Sequence, residues 1–320
     1  MANEEKMKTM IGGQALIEGI LMRGPDKDAI VLRKKDGLDV QVTPRTLPPK
    51  GSVKTFPLIR GVVNFFDAQK TGITAIFKSS EDEEEQEPGK FEKWLTAKLG
   101  SEKMNKLIFA LAMVFAIGFT VLLFFLVPMI ISSFFDGNPL VQNLIEGLLR
   151  IVFFVGYMFG ISLIPDMKRV YGYHGAEHKT IRCYEKKLPL TVDNARVQSR
   201  LHPRCGTSFL LIICVISILL FSVASVAIAQ LPFLTGMEGT FLYRFVMILF
   251  KLLLIPVVVA LGYEFNRFVG RHDNWLTRAL SAPGMWFQKM TTCEPEDEMI
   301  EVAIAALEAV IPEQEGADRW

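Results

Sequence analysis

Four long apolar runs constrain this chain more than any other feature of its sequence. They cover about residues 107–134, 145–164, 209–229 and 245–265. A helix needs ~20 mainly apolar residues to cross the hydrocarbon core of a bilayer. Each run reaches that length, and half of the 320 residues are hydrophobic. The sequence therefore predicts a mainly α, polytopic membrane protein with four transmembrane helices.

The distribution of basic residues predicts which side of the membrane each loop occupies. The segment "DGNPLVQN" after the first run contains no lysine or arginine. The segment between the second and third runs is basic, with Lys168, Arg169, Lys179, Arg182, Lys186, Lys187, Arg196, Arg200 and Arg204. Because basic loops stay in the cytosol, this segment and both termini are predicted to be cytosolic.

Residues 1–80 are predicted to form a small cytosolic α+β region. "AIVLRK" and "LDVQVT" flank "KDG", a pattern that is typical of a β-hairpin with an Asp-Gly turn. "PLIRGVVNFFDAQKTGITAIF" follows with apolar residues at helical spacing and predicts a helix. The acidic run "SSEDEEEQEPG" then predicts a flexible linker, which together with a membrane-proximal helix accounts for residues 81–106.

The rest of the chain divides into a transmembrane domain and a C-terminal cytosolic region. Residues 107–265 form the four-span domain, and its cytosolic loop 166–207 contains most of the histidines. Residues 266–320 begin with "NWLTRALSAPGMWFQKM", whose two tryptophans favour a position along the membrane face. "EPEDEMIEVAIAALEAVI" follows as an amphipathic helix, with apolar residues at 299, 302, 303, 306, 307 and 310. We expect this helix to pack on the protein's own cytosolic face.

The stretch "YGYHGAEHKTIRCYE" holds two of the four histidines of the chain. On a helix, His174, Glu177 and His178 lie on one face, because steps of three and four residues return to the same side. The pattern H-x-x-E-H is that of inverted zinc proteases, in which two histidines bind zinc and the glutamate activates water. Glu177 is therefore the candidate catalytic residue.

A second motif lies at the other end of the same loop, in "SRLHPRCGTSF". His202 and Cys205 have a spacing that suits metal ligands. Two antiparallel spans would bring both motifs to the same depth near the cytosolic boundary, where the fourth span ends with Glu264. The sequence thus predicts a divalent metal site with His174, His178, His202 and Cys205 as ligands, and the mixed donor set favours zinc.

The spacing leaves the type of site open. Four protein ligands would close the tetrahedron and make the metal structural. Three ligands with Glu177 free would leave a position for water and allow hydrolysis. Without a metal, the histidines would bind lipid headgroups or form a polar clamp between two helices.

The motifs resemble a known family over nearly the whole chain. "GGQALIEGILMRGP", "HGAEHKTIRCYE", "RLHPRCGTSFLL" and "TTCEPEDEMIEVAIAAL" are together similar to the YqhQ family of bacterial membrane proteins, a domain of unknown function. Members are described as predicted metal-dependent enzymes, and the resemblance implies a multi-pass protein of the bacterial plasma membrane. The residues that match the family pattern are His174, Glu177, His178, Lys179, His202, Arg204 and Cys205.

The resemblance also draws attention to the N-terminal stretch "GGQALIEGILMRG". It could dock on the cytosolic side of the spans and bring Glu18 and Arg23 near the histidines. It could equally be a strand or short helix whose polar groups face water. Arg204 or Lys179 would serve as an anion-binding group in an enzyme.

Three classes of function compete. A membrane-embedded metal-dependent hydrolase acting on a lipid or another membrane-associated substrate is favoured slightly over a non-catalytic scaffold or membrane-protein biogenesis factor. A small-solute carrier using Lys251 and Glu146 ranks third. These two residues lie toward the same side and could pair with each other, but we expect Lys251 to snorkel outward and Glu146 to pair with Arg150. The lipid bilayer is the expected partner, and the net charge of +1 argues against nucleic acid.

Overall fold

The computed structural model describes residues 7–46, 48–49, 51–80, 101–135, 139–232, 234–237, 240–272 and 274–319. The predicted acidic linker, at residues 81–100, lies outside the described residues. The strands are β1 (Gly12–Leu16), β2 (Gly19–Arg23), β3 (Lys27–Lys34) and β4 (Gly37–Pro44). The helices are α1 (Ile59–Ser80), α2 (Ser101–Val121), α3 (Val127–Ser132), α4 (Pro139–Ser162), α5 (Pro165–Glu185), α6 (Val192–Arg196), α7 (Gly206–Ala229), α8 (Phe241–Leu253), α9 (Ile255–Arg271), α10 (Trp275–Thr291) and α11 (Asp297–Val310).

The described residues contain four helical segments that are long and apolar enough to cross a membrane. They are Leu107–Ser132, Val141–Ser162, Leu210–Ala229 and Phe241–Arg271. The first contains a π-helical turn at Leu122–Leu126. Four such segments confirm the number predicted from hydropathy. The orientation in the membrane and the cytosolic position of the termini stay predictions.

The chain forms two compact units. One comprises Met1–Asp82, Gly156–Ser217 and Leu253–Trp320, and the other comprises Glu83–Val155 and Ile218–Leu252. The second, third and fourth apolar segments contribute residues to both units. The division predicted from the sequence, with a four-span domain over residues 107–265, stays a prediction.

The first unit contains a four-stranded antiparallel sheet in the order β1-β2-β3-β4. The predicted β3–β4 hairpin is confirmed, with Lys34 paired to Gly37 across a two-residue turn. The stretch "GGQALIEGILMRG", expected to dock on the spans or to form a strand or short helix, is a second hairpin in which Leu16 pairs with Gly19. Its turn residue Glu18 has a φ of 51°. A non-glycine residue rarely adopts that conformation, so no turn is recognisable here from sequence patterns.

Both faces of the two central strands, β2 and β3, are covered, whereas β4 is largely exposed. Side chains alternate between the faces of a strand, so neighbouring residues point in opposite directions. Ile20 and Val31 belong to a core cluster with residues of α5 and α11. Leu21 and Ile30 belong to a second cluster with Ala75 of α1. Consecutive residues of β2 and β3 are therefore buried, which is unusual for an antiparallel sheet and explains the apolar runs in these strands.

The amphipathic C-terminal helix is confirmed as α11. Its predicted apolar positions are all buried, namely Met299, Val302, Ala303, Ala306, Leu307 and Val310. They lie in the same core cluster as residues of β2, β3 and α5. Asp297 and Glu298 occupy its first turn, where the helix dipole favours negative charge.

Helix α5 occupies the first half of the predicted loop 166–207. Leu163 and Ile164 separate it from α4, and Pro165 occupies its first turn, where proline is well tolerated. Every residue from Tyr171 to Ile181 is buried although many are polar. The apolar core on the sheet and α11 encloses this helix, so the histidine motif is held on a rigid element.

The second unit contains a buried ionic cluster. Lys251 donates to both carboxylate oxygens of Glu146, at 2.7 and 2.8 Å. Arg150 donates to Glu146 at 2.5 Å and to the carbonyl oxygen of Phe124 at 2.7 Å. The predicted Glu146–Arg150 pair is confirmed. The expectation that Lys251 snorkels outward is wrong, because its ammonium group pairs with the carboxylate of Glu146 inside the unit.

Two glycines one turn apart in α5 test how tightly this helix is packed. A Cβ atom at Gly175 would clash with the carbonyl oxygen of Cys293, whereas one at Gly172 would meet the sulfur of the flexible Met299 side chain. We expect Gly175→Ala to lower the free energy of unfolding by about 1–3 kcal/mol, since the backbone cannot move aside easily. Gly172→Ala is the control and should change it by less than about 1 kcal/mol, because methionine can adopt another rotamer. Thermal unfolding in detergent measures both, and equal effects would contradict the tight packing at Gly175.

Candidate metal centre

Helix α5 presents two imidazoles whose orientation is fixed by backbone carbonyls. The Nδ1 atom of His174 lies 2.8 Å from the carbonyl oxygen of Thr291, and that of His178 lies 2.5 Å from the carbonyl oxygen of Arg200. A carbonyl accepts a hydrogen bond, so each Nδ1 carries a proton and each Nε2 is the nitrogen left to bind a metal. Hydrogen bonds of this kind orient histidine ligands in metalloproteins.

Cys205 completes a cluster of three possible metal ligands. It immediately precedes α7, and its sulfur lies 3.2 Å from the Nε2 atom of His174. One ligand atom from each of His174, His178 and Cys205 lies within 4.8 Å of the others. Imidazole nitrogen and cysteine thiolate are both usual ligands of zinc. The cluster could therefore hold a metal ion.

Unsatisfied polar atoms support this fit. The Nε2 atom of His178 and the Oε2 atom of Glu177 are buried and have no hydrogen-bond partner among the described residues. Leaving such an atom unpaired costs about 1–3 kcal/mol. A site built to hold a further group would recover that cost.

The protonation state of Cys205 favours metal binding, whereas His174 has to lose a proton before it can bind a metal. Burial by itself would raise the pKa of the Cys205 thiol, but the charges of His178 and His174 outweigh it and hold the pKa well below its usual range. Burial would lower the pKa of His174, but the Cys205 thiolate raises it to about 9. Without a metal the two groups thus form a thiolate–imidazolium pair. The thiolate is the form of cysteine that binds metals.

Glu177 lies beside the cluster, and only one of its two carboxylate oxygens has a hydrogen-bond partner among the described residues. Its Oε1 atom accepts a hydrogen bond of 2.8 Å from the backbone N–H of Gly13 in β1. Burial raises the pKa of its carboxyl group. Glycine is required at position 13, because a Cβ there would lie 2.5 Å from the carbonyl oxygen of Leu21 and 3.1 Å from the carboxyl carbon of Glu177.

The structure places His202 next to the three-residue cluster but outside it. Its Nε2 atom lies 3.4 Å from Glu185, and its backbone N–H and carbonyl both bond the side-chain amide of Gln288, at 2.8 and 2.7 Å. Its ring centroid lies 5.6 Å from that of His178. Of the four predicted ligands, three therefore converge and the fourth faces a carboxylate.

The other candidate residues have partners of their own. Lys179 donates to the carbonyl oxygen of Arg196 and pairs with Glu294 at 2.8 Å. Glu264 pairs with Arg60 at 2.5 Å. Neither Lys179 nor Glu264 joins the cluster. Hydropathy predicts the position of a residue along its helix, but it does not predict which residues its side chain contacts.

The remaining candidates lie around the N-terminal sheet. Glu18 accepts hydrogen bonds from Arg169, at 2.8 Å, and from the hydroxyl of Tyr173, at 3.0 Å. Arg204 donates to Glu185. Of the two residues that docking of this stretch was expected to bring near the histidines, Arg23 lines the cavity next to His178 and Glu18 binds Arg169 instead.

A cavity of about 240 Å³ opens beside the cluster. The charged, metal-ligating and nucleophilic side chains that line it are Arg23, Arg45, Glu177, His178, His202, Arg204 and Cys205. Sequence reasoning missed Arg45, which follows β4 and belongs to no recognisable motif. It also missed Glu185, although this residue lies two helical turns beyond His178 in the quoted stretch.

The comparisons with known proteins identify a family. Residues 56–313 match the family described as "Protein of unknown function (DUF1385)". The chain belongs to this family. The Bacillus subtilis (strain 168) "Uncharacterized protein YqhQ" is 32% identical to this chain over an alignment 320 residues long. The alignment covers 97% of this chain and 94% of that protein. No solved structure matches. The resemblance seen in the motifs is thus confirmed, and neither description names an activity.

The environment of His202 makes stability depend on pH. Burial lowers the pKa of His202 to about 4, although the hydrogen bond to Glu185 opposes the shift. Between about pH 4 and about pH 6.5, His202 is protonated in the unfolded chain but stays neutral in the folded protein. Acidification over this range therefore destabilises the fold. We expect His202→Asn to lose less stability than the wild type between about pH 7 and about pH 5, measured by thermal unfolding in detergent. Parallel losses in the two proteins would contradict this assignment.

Proposed function

We propose that this protein is a metal-dependent hydrolase that acts on a membrane-associated substrate. The observation that carries the proposal is the convergence of His174, His178 and Cys205, with the free carboxylate oxygen of Glu177 beside them at a cavity. Three protein ligands and an adjacent general base are the arrangement of catalytic zinc sites.

In such a reaction, three residues would bind the metal and a fourth would transfer the proton. His174, His178 and Cys205 would hold a divalent metal, most suitably zinc, which supplies Lewis-acid activation of water when bound. Glu177 would take a proton at Oε2 and return it to the leaving group. Its raised pKa suits a group that must both accept and donate a proton near neutral pH.

The position of the motifs along the chain supports a substrate at the membrane. Helix α5 follows the span Val141–Ser162 after two residues, and Cys205 precedes the span Leu210–Ala229 by a few residues. Both halves of the cluster are therefore close in the chain to the ends of apolar helices. The positive-inside pattern favours a cytosolic position for this boundary, so the substrate would be a lipid or membrane protein approached from the cytosolic side.

Metal analysis tests the ligand set. Full-length protein purified in detergent without chelator should contain close to one equivalent of zinc, measured by mass spectrometry. His178→Ala and Cys205→Ala should each lose most of it, because a three-ligand site that loses one donor binds far more weakly.

The fourth histidine provides the matched control for this measurement. His272 is exposed and its Nδ1 atom contacts only the carbonyl oxygen of Phe268 among the hydrogen bonds described for it. His272→Ala should keep the metal. Absence of metal from folded wild-type protein, or equal loss in the control, would sink the proposal.

Glu177→Gln separates catalysis from metal binding. Glutamine can still accept the hydrogen bond from Gly13, so the fold and the metal content should be unchanged. Removal of a general base typically costs 10²–10⁴-fold in rate, and we expect a loss of at least about 100-fold. Hydrolysis of chromogenic ester, amide and phosphate substrates by the purified proteins measures it.

A non-catalytic scaffold or biogenesis factor with a structural metal is the second candidate. The 5.6 Å between the rings of His178 and His202 favours it, because a small shift of His202 would supply a fourth ligand. In that case His202→Ala would also lose the metal and Glu177→Gln would have no functional effect.

A further inference from the structure

We propose that the cavity beside the cluster binds the phosphate group of the substrate. The inference rests on the proposed hydrolase for the reaction, but phosphate binding can be tested without it. Three guanidinium-bearing residues, Arg23, Arg45 and Arg204, line the cavity from three separate segments of the chain. Arginine binds phosphate well because its planar donors match phosphate oxygens in pairs.

Two of these arginines, Arg45 and Arg204, are not fully neutralised by their neighbours, whereas Arg23 pairs with both Asp28 and Asp67. The Nε atom of Arg204 is buried without a hydrogen-bond partner, although another donor of the same group reaches Glu185. Arg45 donates to the carbonyl oxygen of Gly24, and the carboxylate of Asp67 lies 3.8 Å away. Asp67 is itself engaged by Arg23 at 2.6 Å.

The charges around Arg45 are consistent with an anion-binding role. Burial, together with the charge of Arg23, lowers the pKa of Arg45, although the carboxylates of Asp28 and Asp67 oppose the shift. A dianion with several oxygens would satisfy Arg45 and the free donor of Arg204 at once. A single carboxylate has only two oxygens and one charge, so a phosphate ester fits this set of donors better.

The same cavity reaches the hydrolytic groups. Glu177, His178 and Cys205 line it together with the arginines. A phosphate ester held there would present its P–O bond to water beside Glu177. Water would add through its oxygen to phosphorus, the P–O ester bond would break, and the proton taken by Glu177 would pass to the leaving alkoxide. The products are an alcohol and inorganic phosphate.

Calorimetric titration of the full-length protein in detergent with inorganic phosphate tests the proposal. We expect Arg45→Gln and Arg204→Gln each to weaken binding by about tenfold or more, since each removes a charge-assisted contact. Arg204→Gln also loses a bond to Glu185, so Arg45→Gln is the cleaner variant. Arg33→Gln is the matched control, because Arg33 pairs with Glu301 and does not line the cavity.

The possible results separate this proposal from the proposed enzyme. No phosphate binding by the wild type, or equal affinity in Arg45→Gln and the wild type, would overturn the phosphate site. Phosphate binding by protein that contains no metal would uphold the site and reject the hydrolase. Protein that contains metal but binds no phosphate would uphold the metal site of the hydrolase and reject the phosphate site.

The source of the phosphate is determined by a second pair of ligands. Short-chain phosphatidate in micelles is compared with glycerol phosphate, again with Arg45→Gln alongside. Tighter binding of the lipid, lost in the variant, assigns the site to a lipid headgroup. Equal binding of both assigns it to a soluble phosphate ester.

A separate observation concerns α1, and we infer that this helix lies in the membrane interface. Its exposed large apolar side chains are Ile59, Phe65, Phe66, Ile73, Ile76 and Phe77. At 100° per residue they occupy roughly 120° of the helix circumference. Phe66 is 63% exposed and Phe77 is 45% exposed, so neither is covered within the unit.

The neighbours of α1 explain which surface covers this stripe. One side of α1 packs on the sheet through Ala75. Another packs on α9, where a Cβ at Gly61 would lie 2.9 Å from that of Tyr263 and the carboxylate of Glu264 binds Arg60. Helix α9 is part of the apolar segment Phe241–Arg271, so a helix attached to its side lies next to lipid.

The composition of α1 places it at the surface of the bilayer and not across it. Asp67, Lys70 and Thr74 are exposed next to the apolar stripe, about 20–80° from its edge, and Gln69 is an exposed polar residue within it. An apolar face with phenylalanines that is flanked by charged groups is typical of helices that lie in the plane of the headgroups. Residues 59–80 thus belong to the membrane-bound part of the protein, whereas the sequence pattern had assigned them to the cytosol.

Photocrosslinking in native membranes tests this position. Benzoylphenylalanine in place of Phe66 or Phe77 should form adducts with lipid on irradiation, and benzoylphenylalanine in place of the exposed Thr74 should form far fewer. Mass spectrometry of the protein identifies the adducts. Adducts to another protein or to a second copy, or equal lipid labelling at Thr74, would overturn the inference.

Discussion

The burial of α5 is the constraint on which the rest of the first unit depends. This helix is rich in histidine, glutamate and lysine, yet its central residues have almost no contact with solvent. A polar side chain can be buried at acceptable cost only if it finds a partner. The carbonyl oxygens of Thr291, Arg200 and Arg196 and the amide of Gly13 provide partners. The burial of α5 therefore requires the elements that supply these partners, namely the sheet, the end of α10 and the segment before α7. The same elements also build the site.

Local patterns in the sequence predicted a large part of this fold and site. The apolar runs, the hairpin at "KDG" and the stripe on α11 each depend on the periodicity of a single element. The convergence of His174, His178 and Cys205 followed from two motifs joined by topology. A salt bridge between Lys251 and Glu146 is one of two alternatives that the sequence allows, and outward snorkelling of Lys251 is favoured over it. The pairing of His202 with Glu185 and the position of Arg45 could not be predicted. Each depends on how separate elements pack, which no local pattern records.

The N-terminal sheet is part of the candidate site and not an attached module. Gly13 binds Glu177, and Arg23 and Arg45 form one side of the cavity. The family match begins at residue 56, after the last strand, whereas the alignment with the Bacillus subtilis protein covers 97% of the chain. The residues before the matched range therefore supply one wall of the site, so its chemistry cannot be understood from the matched range alone.

The hydrogen bond from Gly13 makes the two oxygens of one carboxylate chemically different. In solution the oxygens of a glutamate are equivalent, and a proton can reside on either. Here Oε1 accepts the amide hydrogen, and Oε2 is the atom without a partner. When Glu177 is protonated, the proton must sit on Oε2, because an O–H at Oε1 would face the N–H of Gly13. A side chain that is normally symmetric thus becomes a proton carrier with a single defined direction of transfer, set by a residue that has no side chain.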